Sequence, residues 1–130
     1  MTSPTPDLAA TRWCHCLAAR KRARALTRLY DRYLRPHGLR STQFSVLAVL
    51  AQKGATPTSE LADILGLERT SLTRSADVLR QRGWVQDAPS DDARERRLAV
   101  TDAGRERLDA ALPDWHTAQR IVDEGWDGDT

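Results

Sequence analysis

The stretch Thr58 to Asp77, "TSELADILGLERTSLTRSAD", constrains the fold of this chain more than any other. Leu61 and Leu65 recur at helical spacing, Gly66 breaks the pattern, and Leu72, Ala76 and Leu79 resume it. Ala62 is small enough for two helices to cross closely, and Leu67 supplies a further apolar contact. Two short helices joined by a tight turn are therefore expected, the second running from about Arg69 to Arg82. This is the spacing of a helix-turn-helix, and a helical hairpin in an ordinary α domain is the competing reading.

The side of the second helix away from the leucine stripe presents Thr70, Thr73, Arg74, Asp77 and Gln81, with Arg69 and Ser71 in the first turn. Its N-terminal half is rich in donors. Arginine makes bidentate contacts to guanine, and short hydroxyls reach phosphates or base edges. Beyond Gly83 the period changes. "WVQDA" reads as a strand, "PSDDARE" as a polar turn and "RRLAVT" as a second strand. A two-stranded wing beside such a helix can place arginine in an adjacent minor groove. Asp91 and Asp92 oppose this unless a carboxylate pairs with an arginine and fixes its direction. A solvated turn is the bland alternative.

Longer helices flank this core. From about Asp7 to Leu34 there is no Gly or Pro, which favours one long helix with Cys16, Ala19, Ala23, Leu26, Tyr30 and Leu34 on one stripe. Arg20, Lys21, Arg24, Arg28 and Asp31 fall opposite. "RPHG" ends it, and "TQFSVLAVLAQKG" follows as an apolar helix capped by Ser41 or Thr42. Thr58 or Ser59 is expected to cap the next helix. Thr101 caps a last helix with Leu108, Leu112, Trp115, Gln119 and Val122 on one stripe, and Pro113 predicts a kink or two abutting helices.

Charge is uneven. Arg12 to Arg40 holds a single acid, Asp31, whereas Asp109 to Asp129 holds one arginine, Arg120, within a net charge of only +2. A basic segment on a soluble chain points to a polyanion, with a solvated helix face as the alternative. At 130 residues one domain is expected. No apolar run approaches the roughly 20 residues of a membrane span. "MTSPTPD" lacks the features of a secretory signal, so a cytoplasmic setting is expected.

The wing segment "DARERRLAVTDAG", Asp92 to Gly104, resembles the signature of the MarR family of bacterial transcription factors. "ARALTRLYDRYLRPHGL" and "TQFSVLAVL" also resemble its members. The resemblance implies a mainly α fold with a small β-hairpin wing, a single domain over 1–130. Dimerisation helices would span 7–35 and 102–127, and a winged helix-turn-helix core 36–101. It further implies a homodimeric repressor on near-palindromic double-stranded DNA, relieved by a small ligand or an oxidant. By that match Asp92 holds the wing and Arg94 is its minor-groove arginine. Together with the helix reading, the DNA-binding set is Arg69, Thr70, Ser71, Thr73, Arg74, Asp92, Arg94, Arg96 and Arg97. One departure is the last helix, which stops early at "DEGWDGDT".

"WCHC" at Trp13–Cys16 raises a metal or redox reading. On a continuous helix Cys14 and Cys16 sit about 200° apart, too divergent to bond each other or chelate one ion. Cys16 is expected on the buried stripe as a small hydrophobe. Cys14, near Arg20 and Lys21, is a candidate redox residue, by a Cys14–Cys14 bridge between copies or a sulfenate. Metal binding by Cys14 or His15 with His116 is the least favoured reading. No phosphate loop, nucleophile motif or paired carboxylates point to an enzyme, and no cofactor or metal is implied. A small aromatic effector is expected between the first helix and the core, with Tyr30 and Tyr33 on one wall. A ligand- or redox-sensing dimer without operator recognition is the alternative function, opposed by Arg74, Arg94, Arg96 and Arg97.

Overall fold

The computed structural model describes residues 4–128. A 3₁₀ segment, Leu8–Trp13, leads into helix α1, His15–Leu34. A 3₁₀ turn over Arg35–His37 and Gly38 turns the chain into α2, Ser41–Lys53. Strand β1, Thr56–Pro57, runs directly into α3, Thr58–Leu65, and then α4, Arg69–Gln81. Strands β2, Val85–Ala88, and β3, Arg97–Val100, precede α5, Asp102–Asp123.

The core lies where α2, α3, α4 and the sheet meet. Leu47, Leu50, Leu61, Leu72, Leu79 and Leu98 are all inaccessible or nearly so, with Ala62 and Ala76 between them. The expected stripe of α4 is thus the buried one. Ala62 is buried and Gly66 ends α3 at φ 64°, a left-handed conformation that glycine adopts without a Cβ penalty. The amide of Leu67 donates to the Ala62 carbonyl at 2.9 Å, which closes the turn.

The hairpin gains a third strand. β1 pairs antiparallel with β3 on the edge opposite β2, with Thr56 facing Leu98 and Pro57 facing Arg97. "ATP" carries no alternating pattern, so this strand exists only through its distant partner. Pro57 fits because an edge strand leaves a missing donor harmless.

α1 and α5 pack together as an arm, with α2 against both. The arm departs from expectation in several places. The first helix is interrupted at Cys14, which is extended (φ −61°, ψ 117°) and stands at the N-cap of α1. The segment before it buries nothing in this chain, so only propensity, a weak force over one turn or two, favours α-helix there. Cys16 is exposed, as is every described residue up to Arg24. In the outer half of α1 the Arg22 guanidinium lies 5.0 Å over the Trp126 ring, but no residue there is buried among the described ones.

Asp31 is not on a solvated face: its carboxylate accepts the Ser41 amide at 2.7 Å, satisfying one orphan donor at the start of α2. Arg40 and Pro57, rather than the hydroxyl residues, occupy the N-cap positions of α2 and α3. Gln43 does the capping work for α2, accepting from the Arg40 amide through Oε1 at 3.1 Å. Pro113 sits inside one uninterrupted helix. Leu108 is buried and Trp115 packs against the core as expected, whereas Leu112 is 39% exposed and the buried Ala111 takes its inward place.

Thr101 caps α5 as expected: its hydroxyl oxygen accepts the Gly104 amide at 3.1 Å and its proton goes to the Gly83 carbonyl at 2.6 Å. The Thr101 amide in turn donates to the Trp84 carbonyl at 3.0 Å. Gly104 lies so close to that carbonyl that a Cβ would stand 2.0 Å from its oxygen. Thr101 and Gly104 therefore seat the arm on the core at the end of α4.

Candidate nucleic-acid interface

The two turns that carry the candidate residues face one cleft. Thr58 and Ser59 at the start of α3, Arg69, Leu72 and Thr73 on α4, and Asp92, Arg94, Glu95 and Arg96 of the wing line a space of about 380 Å³. Two backbone features create it. Gly66 turns α4 so that its first turns point outward, and the Thr58 amide donates to the Arg96 carbonyl at 2.8 Å, tying α3 to the wing. Arg69, Thr70, Ser71, Thr73 and Arg74 are all exposed. Thr73 donates its hydroxyl proton to the Arg69 carbonyl at 2.9 Å, which leaves its oxygen as an acceptor.

The acid further along the helix is neutralised. Asp77 pairs with Arg80 at 2.7 Å, and Arg80 reaches across to Asp87 of β2 at 2.9 Å. This bridge faces away from the first turn and braces α4 against the hairpin. The exposed N-terminal half of α4 therefore keeps its positive character.

In the wing, Asp92 does not pair with a guanidinium. Its carboxylate accepts the Arg94 amide at 2.9 Å, its own amide donates to the Ser90 hydroxyl at 3.2 Å, and its carbonyl accepts the Glu95 amide at 3.0 Å. Three bonds within six residues fix the loop that presents Arg94. Glu95 holds the base of the loop by accepting from Ser90 at 3.2 Å and from Arg97. Arg97 is thus half-buried and engaged, while Arg94 and Arg96 are exposed and lie outside the ion pairs found among the described residues. Arg74, Thr70 and Ser71 do not line the cleft; they extend the same exposed face along α4. Thr58 and Ser59 were legible only as cap candidates, because their place beside the wing depends on β1 pairing with β3.

A model of the MarR family matches residues 39–95, which span this core from the start of α2 to the wing. The transcriptional regulator MosR of M. tuberculosis, solved in complex with DNA, is 43% identical, and the match covers 88% of this chain and 84% of that one, with a TM-score of 0.79. The chain belongs to the MarR family.

Other MarR-type proteins agree. The transcriptional repressor MprA of Escherichia coli (strain K12) is 33% identical over 116 residues, 87% of this chain. The match spans 63% of the length of that curated relative. A MarR variant from E. coli, complexed with operator DNA, is 26% identical with a TM-score of 0.65, covering 84% of this chain and 78% of that one. The winged helix-turn-helix expected from the wing signature is thus the fold, and Thr101 and Gly104 of that signature have a physical role in it, as the seat of α5.

Proposed function

We propose that this protein is a homodimeric, sequence-specific DNA-binding transcriptional regulator, acting as a repressor in the cytoplasm and doing no catalysis. The observation that carries the proposal is the shared cleft in which the first turns of α4 meet the wing, with Arg69, Arg94 and Arg96 around it. The exposed donors of α4 support its use in a major groove, and the stiffening of the Arg94 loop by Asp92 supports the use of Arg94 in the minor groove beside it. The DNA complexes of MosR and of the E. coli MarR variant support this use of the fold. Two copies would present two such faces to a near-palindromic operator.

Relief by a small aromatic effector is part of the proposal. Leu26, Thr27, Tyr30, Ser41, Ser45, Trp115 and Gln119 line a pocket of about 260 Å³ between the arm and α2. Tyr30 is on its wall and Tyr33 is not. Relief by an oxidant is the other route, supported by the exposure of both thiols.

Selection of an operator from random duplexes, followed by titration at several salt concentrations, tests the DNA reading. Arg74→Ala should relax discrimination at one base pair, costing about 1–3 kcal/mol where it contacts a base bidentately. Arg94→Ala should weaken binding to selected and random duplexes alike, or change preference at flanking A·T steps. Affinity should fall steeply with salt. If both variants bind the selected operator as the parent does, α4 and the wing do not contact DNA as proposed.

A further inference from the structure

At the opposite end of α2 and α4 lies a second basic cleft that DNA reading does not use. Arg35, Gly38, Leu39, Arg40, Gln43 and Arg82 line it with Asp31, around a space of about 370 Å³. Arg40 precedes α2, and Arg82 follows α4. Each of these helices has 13 residues, so each arginine sits roughly 20 Å along its helix from the end nearest the wing. The cleft is away from the DNA-facing turns.

Its charge is not balanced by an ion pair among the described residues. The ion pairs among the described residues involve none of Arg35, Arg40 and Arg82. Asp31 has the i, i+4 spacing to pair with Arg35, yet its carboxylate is turned to the Ser41 amide at 2.7 Å. Three guanidinium groups against one engaged carboxylate leave the lining net positive. Arg82 is also held in place: it donates to the Gly38 carbonyl and lies 5.1 Å over the Trp84 ring. A guanidinium fixed by such contacts loses little freedom on gripping a ligand.

We infer that this cleft binds a small oxyanion, a phosphate or carboxylate group on a metabolite-sized molecule, held by Arg35, Arg40 and Arg82. Arginine forks match these groups in geometry, and the volume falls within the range of ligand pockets. The site is separate from the pocket at Tyr30, Trp115 and Gln119. Its position gives it a consequence, which rests on the regulator reading above. Arg35 and Arg40 belong to the joint between the arm and the core, and Arg82 belongs to the end of the recognition helix. An anion drawing them together changes the angle at which α4 leaves the arm, and with it the spacing of two recognition helices in a dimer.

Isothermal titration of the free chain with inorganic phosphate, and separately with citrate, at constant ionic strength in chloride, tests the site without any DNA. Saturable binding of either anion, near one per chain, is expected. Arg35→Gln and Arg40→Gln, which alter exposed side chains, should each weaken it about tenfold or more. Arg24→Gln, an exposed arginine of α1 outside the cleft, should leave it unchanged. Binding of phosphate alone assigns a phosphoryl ligand, and of citrate alone a carboxylate. No saturable binding, or an equal loss in Arg24→Gln, overturns the site. So does a result in which Arg40→Gln leaves anion binding intact but weakens operator binding with a shallower salt slope, since that assigns Arg40 to the DNA backbone. Loss of operator binding by the parent chain would sink the regulator reading while leaving the anion titration standing.

Discussion

At the scale of single residues, Tyr30 links the arm to itself: its hydroxyl donates to Gln119 Oε1 of α5. Burial raises its pKa above the ordinary value of 10.0, and the negative charge of Asp123 raises it further. Folding therefore favours the protonated phenol. That stabilisation is fully present below about pH 10 and is lost as pH rises through the folded pKa. Tyr30→Phe should cost about 1 kcal/mol at neutral pH, with Gln119 left short of a donor. Urea titrations at a series of pH values should show the gap between parent and variant narrowing above pH 10; a constant gap would mean the hydroxyl is not titrating in the folded state. Cys14 belongs at this scale too. Its extended backbone removes the helical geometry that holds it apart from Cys16, and both thiols are exposed. Mild peroxide should lower operator affinity of the parent and not of Cys14→Ser, with any bridge between copies visible on non-reducing electrophoresis. Equal loss in the variant would exclude Cys14 from the response.

At the scale of elements, the seat of α5 is the most demanding contact. An added Cβ at Gly104 meets the Trp84 carbonyl oxygen at 2.0 Å and Val100 Cγ2 at 2.9 Å. A backbone carbonyl cannot rotate away as a side chain can, so α5 itself must move. Gly104→Ala should cost about 1–3 kcal/mol or more. Thr101→Ala, which removes the cap and the bond to Gly83, should cost about 1 kcal/mol. Gly66→Ala meets open space but a left-handed backbone, a penalty of roughly 1–2 kcal/mol. Denaturant midpoints should rank Gly104→Ala as the most destabilised of the three, and a mild Gly104→Ala would show that α5 slides without cost.

At the scale of the whole molecule, the chain leaves apolar surface uncovered on the segment before α1 and along the arm. Trp13 is 79% exposed and Leu8 72%, while Leu17 and Leu112 are also open. Surface of this kind usually marks a partner, and a second copy whose arm lies along this one would cover it. Leu17→Glu, at an exposed position outside the core cluster, should leave helix content unchanged. It should weaken the dimer about tenfold or more, read by light scattering over a dilution series, and operator affinity should fall with it. A parent chain that is monomeric at micromolar concentration and still binds its operator fully would remove the dimer from the proposal.

What the sequence determined by itself was local. The leucine period of α4, the turn at Gly66, the cap at Thr101 and the two wing strands follow from spacing and from residues with one strong conformational preference. The donor-rich face of α4 followed because a helix with one buried stripe must expose the other. Tertiary structure decided whatever depends on a partner far along the chain. β1 forms because β3 lies beside it, and Asp31 faces inward because the Ser41 amide needs an acceptor. Ala111 replaces Leu112 in the core because of how α5 lies on α1 and α2. Arg97, which shares its charge and neighbourhood with Arg94, is drawn to Glu95, while Arg35, Arg40 and Arg82 meet only when the ends of three helices converge. Periodicity reports which face of an element is apolar. It carries no record of which distant polar group will claim a given charge, because that choice is made by desolvation and geometry once the elements have packed.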